Sequence, residues 1–270
     1  MDWQGILVAF GLLTGLALLF GVGLSVASKF FSVPTDPMFE QVREALPGAN
    51  CGACGYSGCD PYAEAVAHGK AAPNLCIPGG KDLADVLSDI TGQSAEEPAV
   101  RLVARLMCQG SPERAKDKYN YSGLDSCVAA QAMYSGPKDC LYGCMGYGDC
   151  VAVCPFHAIN IVDGLPQVDP DLCVGCSRCV EACPKGLFRL QRVDTPFVVA
   201  CSSQDKGRRV REVCAVGCIG CGRCVRECPG GAIRMDGQVA VIDPLKCTNC
   251  GHCITICPTK AIVGTFKIEG

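Results

Sequence analysis

The sequence predicts an α+β protein with one N-terminal transmembrane helix, a small Cys-rich module and two tandem domains that repeat one unit. Three observations predict this architecture. An apolar stretch without charge runs from residue 6 to residue 28. Cys accounts for 24 of the 270 residues, mostly in closely spaced groups. The chain also matches itself after a shift of 74 residues, the interval from Cys144 to Cys218, and such a repeat indicates duplicated domains.

The apolar stretch from Ile6 to Ser28 is predicted to be a single transmembrane anchor, because about 20 such residues span a bilayer as a helix. No basic residue precedes it, whereas Lys29 and Arg43 follow it, so the positive-inside tendency places the rest of the chain in the cytoplasm, at the inner membrane. A cleaved signal peptide is the alternative. The lack of a basic n-region and the need for reduced thiols weigh against it.

A first Cys group follows the anchor. Asp36-Pro37 is typical of an N-cap with proline at the first helical position, so a short helix is predicted over residues 38–46. Cys51, Cys54, Cys59 and Cys76 come next, and four thiolates complete one 4Fe-4S cluster. A second helix is predicted to begin at Asp60-Pro61.

Three later runs share the spacing C-x2-C-x2-C-x3-C-P: they are residues 173–184, 218–229 and 247–258. This spacing is typical of bacterial two-cluster ferredoxins, in which three thiolates hold one cluster and the fourth crosses to its neighbour. Disulfides are characteristic of small secreted domains, and structural zinc usually takes two Cys pairs, commonly with His, of which the chain has only three. The runs therefore predict iron–sulfur clusters and one-electron transfer.

The repeat pairs the first ferredoxin-type unit with the second. Its one mismatch is Tyr147, which stands where the second unit has Cys221, and Cys140 is the nearest substitute ligand. Without Cys140, that site would hold a three-iron cluster. The predicted ligand sets of the two units are Cys140, Cys144, Cys150 and Cys183; Cys154, Cys173, Cys176 and Cys179; Cys218, Cys221, Cys224 and Cys257; and Cys228, Cys247, Cys250 and Cys253.

Four cysteines remain: Cys108, Cys127, Cys201 and Cys214. They match the requirement of a sixth 4Fe-4S cluster beyond the five already predicted. The alternative is that they are small buried apolar side chains, as free cysteines often are. The predicted divisions are an anchor (1–34), a 4Fe-4S module (35–95), a connecting segment (96–135), a first ferredoxin domain (136–195), a linker segment (196–216) and a second ferredoxin domain (217–270).

Charge adds one candidate surface. The net charge of −3 does not suggest a nucleic-acid partner. The densest basic run is residues 206–211, and further cations surround the third cluster's motif: Arg178, Lys185, Arg189 and Arg192. These could steer an acidic ferredoxin toward the chain, or simply form a solvated face. No dinucleotide-binding fingerprint is present, and no catalytic residue is predicted.

The anchor, the Cys51 to Cys76 spacing and the tandem ferredoxin units together resemble the B subunit of the Rnf complex in its long, cluster-rich form. The resemblance spans nearly the whole chain and includes CGACGYSGCDPYAEA and YGCMGYGDCVAVCPFHAI. It implies a membrane complex that passes electrons between reduced ferredoxin and NAD while pumping sodium ions or protons. This chain would accept electrons from soluble ferredoxin, while membrane subunits and a flavin- and NADH-binding subunit complete the translocase. The alternative function is a membrane-tethered polyferredoxin serving a soluble oxidoreductase without ion transport.

Overall fold

The computed structural model describes residues 3–30, 36–94 and 101–264. The predicted boundaries at 34/35 and 95/96 lie outside these ranges. The helices within them are α1 (Trp3–Phe30), α2 (Pro37–Ala45), α3 (Cys59–Ala67), α4 (Gly80–Thr91), α5 (Cys127–Ala132), α6 (Asp149–Ala152), α7 (Arg178–Ala182), α8 (Gly207–Val213), α9 (Arg223–Arg226) and α10 (His252–Ile256). The strands within them are β1 (Leu102–Leu106), β2 (Ile159–Val162), β3 (Leu165–Val168), β4 (Phe188–Arg192), β5 (Val198–Val199), β6 (Ile233–Asp236), β7 (Val239–Ile242) and β8 (Ile262–Val263).

Helix α1 carries the predicted membrane segment. Its 28 residues would extend over about 42 Å at 1.5 Å per residue. None of its segment over residues 10–28 is buried against the described parts of the protein, and Leu12 and Leu24 are each 70% exposed. Because such exposure is unfavourable in water, the helix suits a lipid environment. By length and composition, its residues 10–28 can cross a membrane.

The first Cys module consists of α2, α3 and α4 around one small core. The Asp36 side chain accepts the Met38 N–H at 3.0 Å, so the predicted capped helix forms at α2. Helix α4 did not follow from the sequence reasoning, although its buried Leu83 and Leu87 are spaced for one helical face. The core buries Val42, Tyr62, Val66 and Leu87 almost completely.

The two ferredoxin-type units have matching elements at the interval of 74 residues. Helix α6 corresponds to α9 and α7 to α10, while the hairpin β2–β3 corresponds to β6–β7. The register agrees as well, since Ile159 pairs with Val168 in the first unit and Ile233 with Ile242 in the second. The duplication seen in the sequence is therefore a duplication of structure.

Segments outside the predicted units complete their sheets. Strand β1, from the connecting segment, pairs antiparallel with β4 of the first unit. Strand β5, from the linker segment, pairs with β8 of the second. The connecting and linker segments also meet each other, because the Lys116 N–H donates to the Val213 carbonyl at 2.9 Å and the Ala215 N–H to the Arg114 carbonyl at 2.8 Å. This contact forms a seam between the units.

Candidate iron–sulfur centres

Four thiols of the first module lie together and form site 1. Cys51 and Cys54 lie in the loop after α2, Cys59 begins α3, and Cys76 precedes α4. Burial, with a further contribution from the charges of the other three thiols, raises the pKa of Cys76 to about 11. The Cys59 N–H donates to the side-chain oxygen of Asn50 at 2.7 Å, which fixes the turn into α3. The module's predicted ligands are thus gathered in one place.

The second ferredoxin unit contains two thiol groups. Site 5 consists of Cys218, Cys221, Cys224 and Cys257, which line one small space. Site 6 consists of Cys228, Cys247, Cys250 and Cys253. Burial, followed by the charges of the other thiols in the group, raises the pKa of Cys224 to about 11 and also raises the pKa of Cys253. In both groups the fourth thiol comes from the other run, in the crossing pattern of two-cluster ferredoxins.

The first unit contains the matching site 2, whose thiols are Cys154, Cys173, Cys176 and Cys179. All four line one small space. Burial, with the charges of nearby thiols, raises the pKa of Cys179 to about 12. Because a raised pKa keeps an unligated thiol protonated, metal binding at such a group must release protons.

The four crossing cysteines each accept a hydrogen bond of the same kind. Each sulfur accepts the backbone N–H of the residue four positions later, at 3.3–3.4 Å; the sulfurs belong to Cys154, Cys183, Cys228 and Cys257. The turn after each Cys-Pro pair brings this N–H back to the sulfur. Hydrogen bonds to cluster sulfurs help to set reduction potentials, so the repeated bond suits an electron-carrying role.

The remaining thiols of the first unit are grouped differently from the prediction. Site 3 consists of Cys127, Cys144, Cys150 and Cys183. Burial raises the pKa of Cys150 to about 11, and the largest charge contributions come from Cys127 and Cys183. Cys144 likewise has Cys127 and Cys150 among its charged neighbours. The structure therefore places Cys127, rather than the predicted Cys140, near Cys144, Cys150 and Cys183.

Cys140 instead belongs to site 4, which lies at the seam and consists of Cys108, Cys140, Cys201 and Cys214. These four line one small space. The sequence predicts that the sixth group contains Cys127. The structure instead places Cys140 beside its other three members. The physical reason is the seam itself: the backbone pairing of Ala115 with Cys214 brings the Cys214 thiol next to Cys108 and Cys140. All 24 cysteines now fall into six groups of four.

The groups fit iron–sulfur clusters better than the rival chemistries. All 24 cysteines are free thiols, so none of them forms a disulfide. Within the described ranges, no group of three or more Cys, His, Asp or Glu side chains is placed to hold a single metal ion. No carboxylate or imidazole lines the spaces at sites 2, 4 and 5. Soft thiolate donors in groups of four suit an inorganic iron–sulfur core.

Exposure distinguishes the two ferredoxin units. The only exposed thiols among the 24 cysteines are those of Cys221 in site 5 and Cys250 in site 6. Arg208, Arg211 and Glu212 of α8 share a surface cleft with Cys221, and Arg208 forms an ion pair with Glu212 at 3.4 Å, so that Arg211 adds the net positive charge. The neighbouring Arg209 forms an ion pair with Asp139 at 2.6 Å, so it also ties α8 to the first unit.

The other predicted cations contact a backbone carbonyl or a neighbouring carboxylate, or lie exposed. Arg178 donates to the Asn50 carbonyl at 3.0 Å, and Lys185 donates to the Leu141 carbonyl at 2.8 Å. Arg192 pairs with Asp194 at 2.7 Å. Arg189 lies exposed on β4. The cleft at Cys221 is therefore the place where cations of the basic run lie beside an exposed cluster ligand.

Comparisons with known proteins agree with this geometry. A family model for an Fe-S cluster matches residues 46–78. One model of a 4Fe-4S dicluster domain matches residues 139–187 and 217–261, and another matches residues 172–233. These matches confirm the predicted fold class and the presence of 4Fe-4S domains.

Three known proteins align with this chain over most of their own length. The B subunit of the Na(+)-translocating ferredoxin:NAD(+) oxidoreductase complex of Acetobacterium woodii is 46% identical over 89% of this chain and 72% of its own length. Its proton-translocating counterpart from Clostridium ljungdahlii is 40% identical over 86% and 82%. The B subunit of the ion-translocating oxidoreductase complex of Methanosarcina acetivorans is 41% identical over 88% and 90%.

Proposed function

The chain belongs to the family of B subunits of ion-translocating ferredoxin:NAD(+) oxidoreductase complexes, the Rnf complexes, and on this premise we propose that it relays electrons from reduced ferredoxin to membrane partners through six 4Fe-4S clusters. The clusters supply one-electron chemistry, and the chain's residues hold and space them. The observation that carries the proposal is that the six thiol groups form one connected series.

Adjacent groups in this series lie close to each other. Cys201 of site 4 lies beside Cys218 of site 5, whose charge raises the Cys201 pKa after the larger effect of burial. The Cys108 sulfur of site 4 accepts the N–H of Cys144 of site 3 at 3.4 Å. Cys150 of site 3 contributes in turn to the raised pKa of Cys179 in site 2. Sites 5 and 6 border one hydrophobic core.

The series ends at the first module. Cys51 of site 1 is among the charged neighbours that, after burial, raise the pKa of Cys176 in site 2. The hydrogen bond from Arg178 to the Asn50 carbonyl links site 2 to site 1, because the side chain of Asn50 also accepts the N–H of Cys59. Site 1 is also the group nearest in sequence to α1. We therefore place the exit of electrons to membrane subunits at site 1, with α1 crossing the membrane once and the remainder in the cytoplasm.

Electrons are received in the second ferredoxin unit, at site 5, which is flanked by sites 4 and 6. Cys221 and Cys250 are exposed, and the cations of α8 lie beside Cys221. Opposite charge steers association and raises the encounter rate. An acidic ferredoxin would accordingly bind at α8 and reduce site 5 first, while the flavins and the NADH site belong to partner subunits.

The function is tested with the complex purified anaerobically in detergent. Cys59→Ala, which removes a ligand of site 1, is expected to leave sites 2–6 reducible by ferredoxin while abolishing ferredoxin-dependent NAD reduction. The control Ser57→Ala changes an exposed side chain of the same loop and should retain both. Unimpaired NAD reduction in Cys59→Ala would exclude site 1 from the path.

Two further measurements bear on the proposal. Iron analysis should give about 24 iron atoms per chain for six clusters, whereas about 20 would leave one group without a cluster. Co-purification of flavin-containing and multi-helix membrane subunits supports the ion-translocating complex. A solitary anchored protein would instead favour the polyferredoxin alternative.

A further inference from the structure

We infer that Cys127 replaces the missing motif cysteine at Tyr147 as the fourth ligand of site 3, and that Asp149 is the positioning residue that holds it there. The inference rests on the proposed function in one respect, that site 3 carries a cluster. It assigns a ligand from outside the ferredoxin motif to a ferredoxin-type site.

The repeat identifies the missing ligand. Tyr147 corresponds to Cys221, which lines site 5 in the second unit. The Tyr147 ring packs against Tyr121 with the ring centroids 5.4 Å apart. A phenol oxygen is also a harder donor than the thiolates that clusters prefer. Site 3 would therefore have three thiols if its ligands came from its own motif alone.

Helix α5 supplies the fourth. Cys127 is its first residue, and Ser126 is its N-cap. Among the charges that raise the pKa of Cys150 after burial, that of Cys127 ranks first, and Cys127 also contributes at Cys144. The thiol at the start of α5 therefore lies near the two motif cysteines that flank Tyr147 in sequence, and it accepts backbone hydrogen bonds from Tyr147 and Gly148.

Asp149 fixes this helix start. Its carboxylate accepts three hydrogen bonds: from the Cys127 N–H at 2.9 Å, from the Val128 N–H at 3.0 Å and from the Ser126 hydroxyl at 3.0 Å. Asp149 directly precedes the ligand Cys150, so one residue joins the motif to the segment that completes it. Bonds from N–H and O–H donors to a charged acceptor are among the stronger ones in proteins.

The second unit has a different residue at the position of Asp149, and its equivalent of Cys127 lies in a different site. Its counterpart of Asp149 is Arg223, which cannot accept N–H bonds and instead pairs with Glu227 at 3.0 Å. The counterpart of Cys127 is Cys201, which lies in site 4. Equivalent cysteines of the repeat thus serve different sites, and the residue at position 149 or 223 differs accordingly.

Restoring the motif cysteine tests the assignment. In the holoprotein, Cys127→Ala should convert site 3 to a three-iron cluster or empty it, seen by EPR and iron content. Tyr147→Cys added to Cys127→Ala should restore the lost iron and the four-iron signal. The same addition to Cys140→Ala should restore nothing. Rescue of Cys140→Ala, or rescue of neither variant, would overturn the inference.

Asp149 has its own test. Asp149→Ala should weaken retention of one cluster against an iron chelator by roughly 10- to 100-fold, the loss of metal affinity typical when a residue that orients a metal ligand is removed. In the Tyr147→Cys background this effect should disappear, because the cluster no longer depends on Cys127. An equal effect in both backgrounds would reduce Asp149 to a general structural role. Either failure would leave relay through the other sites intact, whereas a chain that binds no iron would refute the proposed function itself.

Discussion

Replacing Cys214 by alanine tests whether site 4 connects the two ferredoxin units. Cys214 is the C-cap residue of α8 and contributes its thiol to the seam. The backbone hydrogen bonds that close the seam flank it and do not involve its side chain. The substitution should therefore remove a ligand while costing the fold only about 1 kcal/mol apart from the cluster itself.

The expected magnitudes follow from the order of the sites. Loss of one cluster removes about four of about 24 iron atoms. Of the five clusters that remain, only those at sites 5 and 6 stay connected to the surface where ferredoxin is proposed to bind. Rapid reduction by ferredoxin should therefore reach about two fifths of the remaining clusters, and sites 1–3 should be reduced slowly.

Stopped-flow absorbance under anaerobic conditions measures this fraction. The matched control is Cys59→Ala, which also costs one cluster but at the end of the series, so that the other five remain connected. Its rapid phase should include all remaining clusters. A complete rapid phase in Cys214→Ala would refute the reasoning, because electrons would then reach the first unit without site 4.

Three other predictions follow from the same structure. Reversing charge in the double variant Arg208→Glu/Arg211→Glu should slow reduction by ferredoxin at least about tenfold at low salt and weaken its salt dependence, whereas Arg234→Glu on β6 should have little effect in the same stopped-flow assay. Gly175→Ala should lower the free energy of unfolding by at least about 1 kcal/mol, measured by thermal unfolding, because the backbone there has φ +69° and the new methyl would lie 2.6 Å from a backbone carbonyl oxygen. The control is Gly186→Ala, where φ is +59° but the methyl would meet no atom within 4 Å, so this variant measures the backbone strain alone. Removal of iron by a chelator should abolish most far-UV circular dichroism from the residues after the anchor, and a retained spectrum would show that the fold does not depend on its clusters.

The sequence was sufficient where the ligands of a site lie within the repeating motifs. At sites 1, 2, 5 and 6 the structure groups the same thiols as the sequence predicts, because a fixed spacing and a fixed crossing pattern determine which thiols meet. The same holds for α2, whose cap and first proline are adjacent in sequence. Here local chemistry determines local geometry.

Sites 3 and 4 could not be predicted in this way, because their ligands come from segments that meet only through tertiary structure. Cys127 and Cys140 are 13 positions apart in one chain segment, and nothing in their spacing decides which joins site 3. The pairing of β1 with β4 and of the seam segments depends likewise on distant partners. One local signal was present: Asp149 in place of Arg223 marks a position where an N–H acceptor is available in one unit only.

The seam also bears on how the protein is assembled. Cys108 is synthesised long before Cys214, and their thiols converge on one centre only after the first ferredoxin unit and the segment that follows it have emerged. Closing a chain segment of this length is entropically costly, and a shared inorganic core offsets that cost. Assembly of this centre must therefore come late. It joins the two ferredoxin units, which could otherwise acquire their clusters independently.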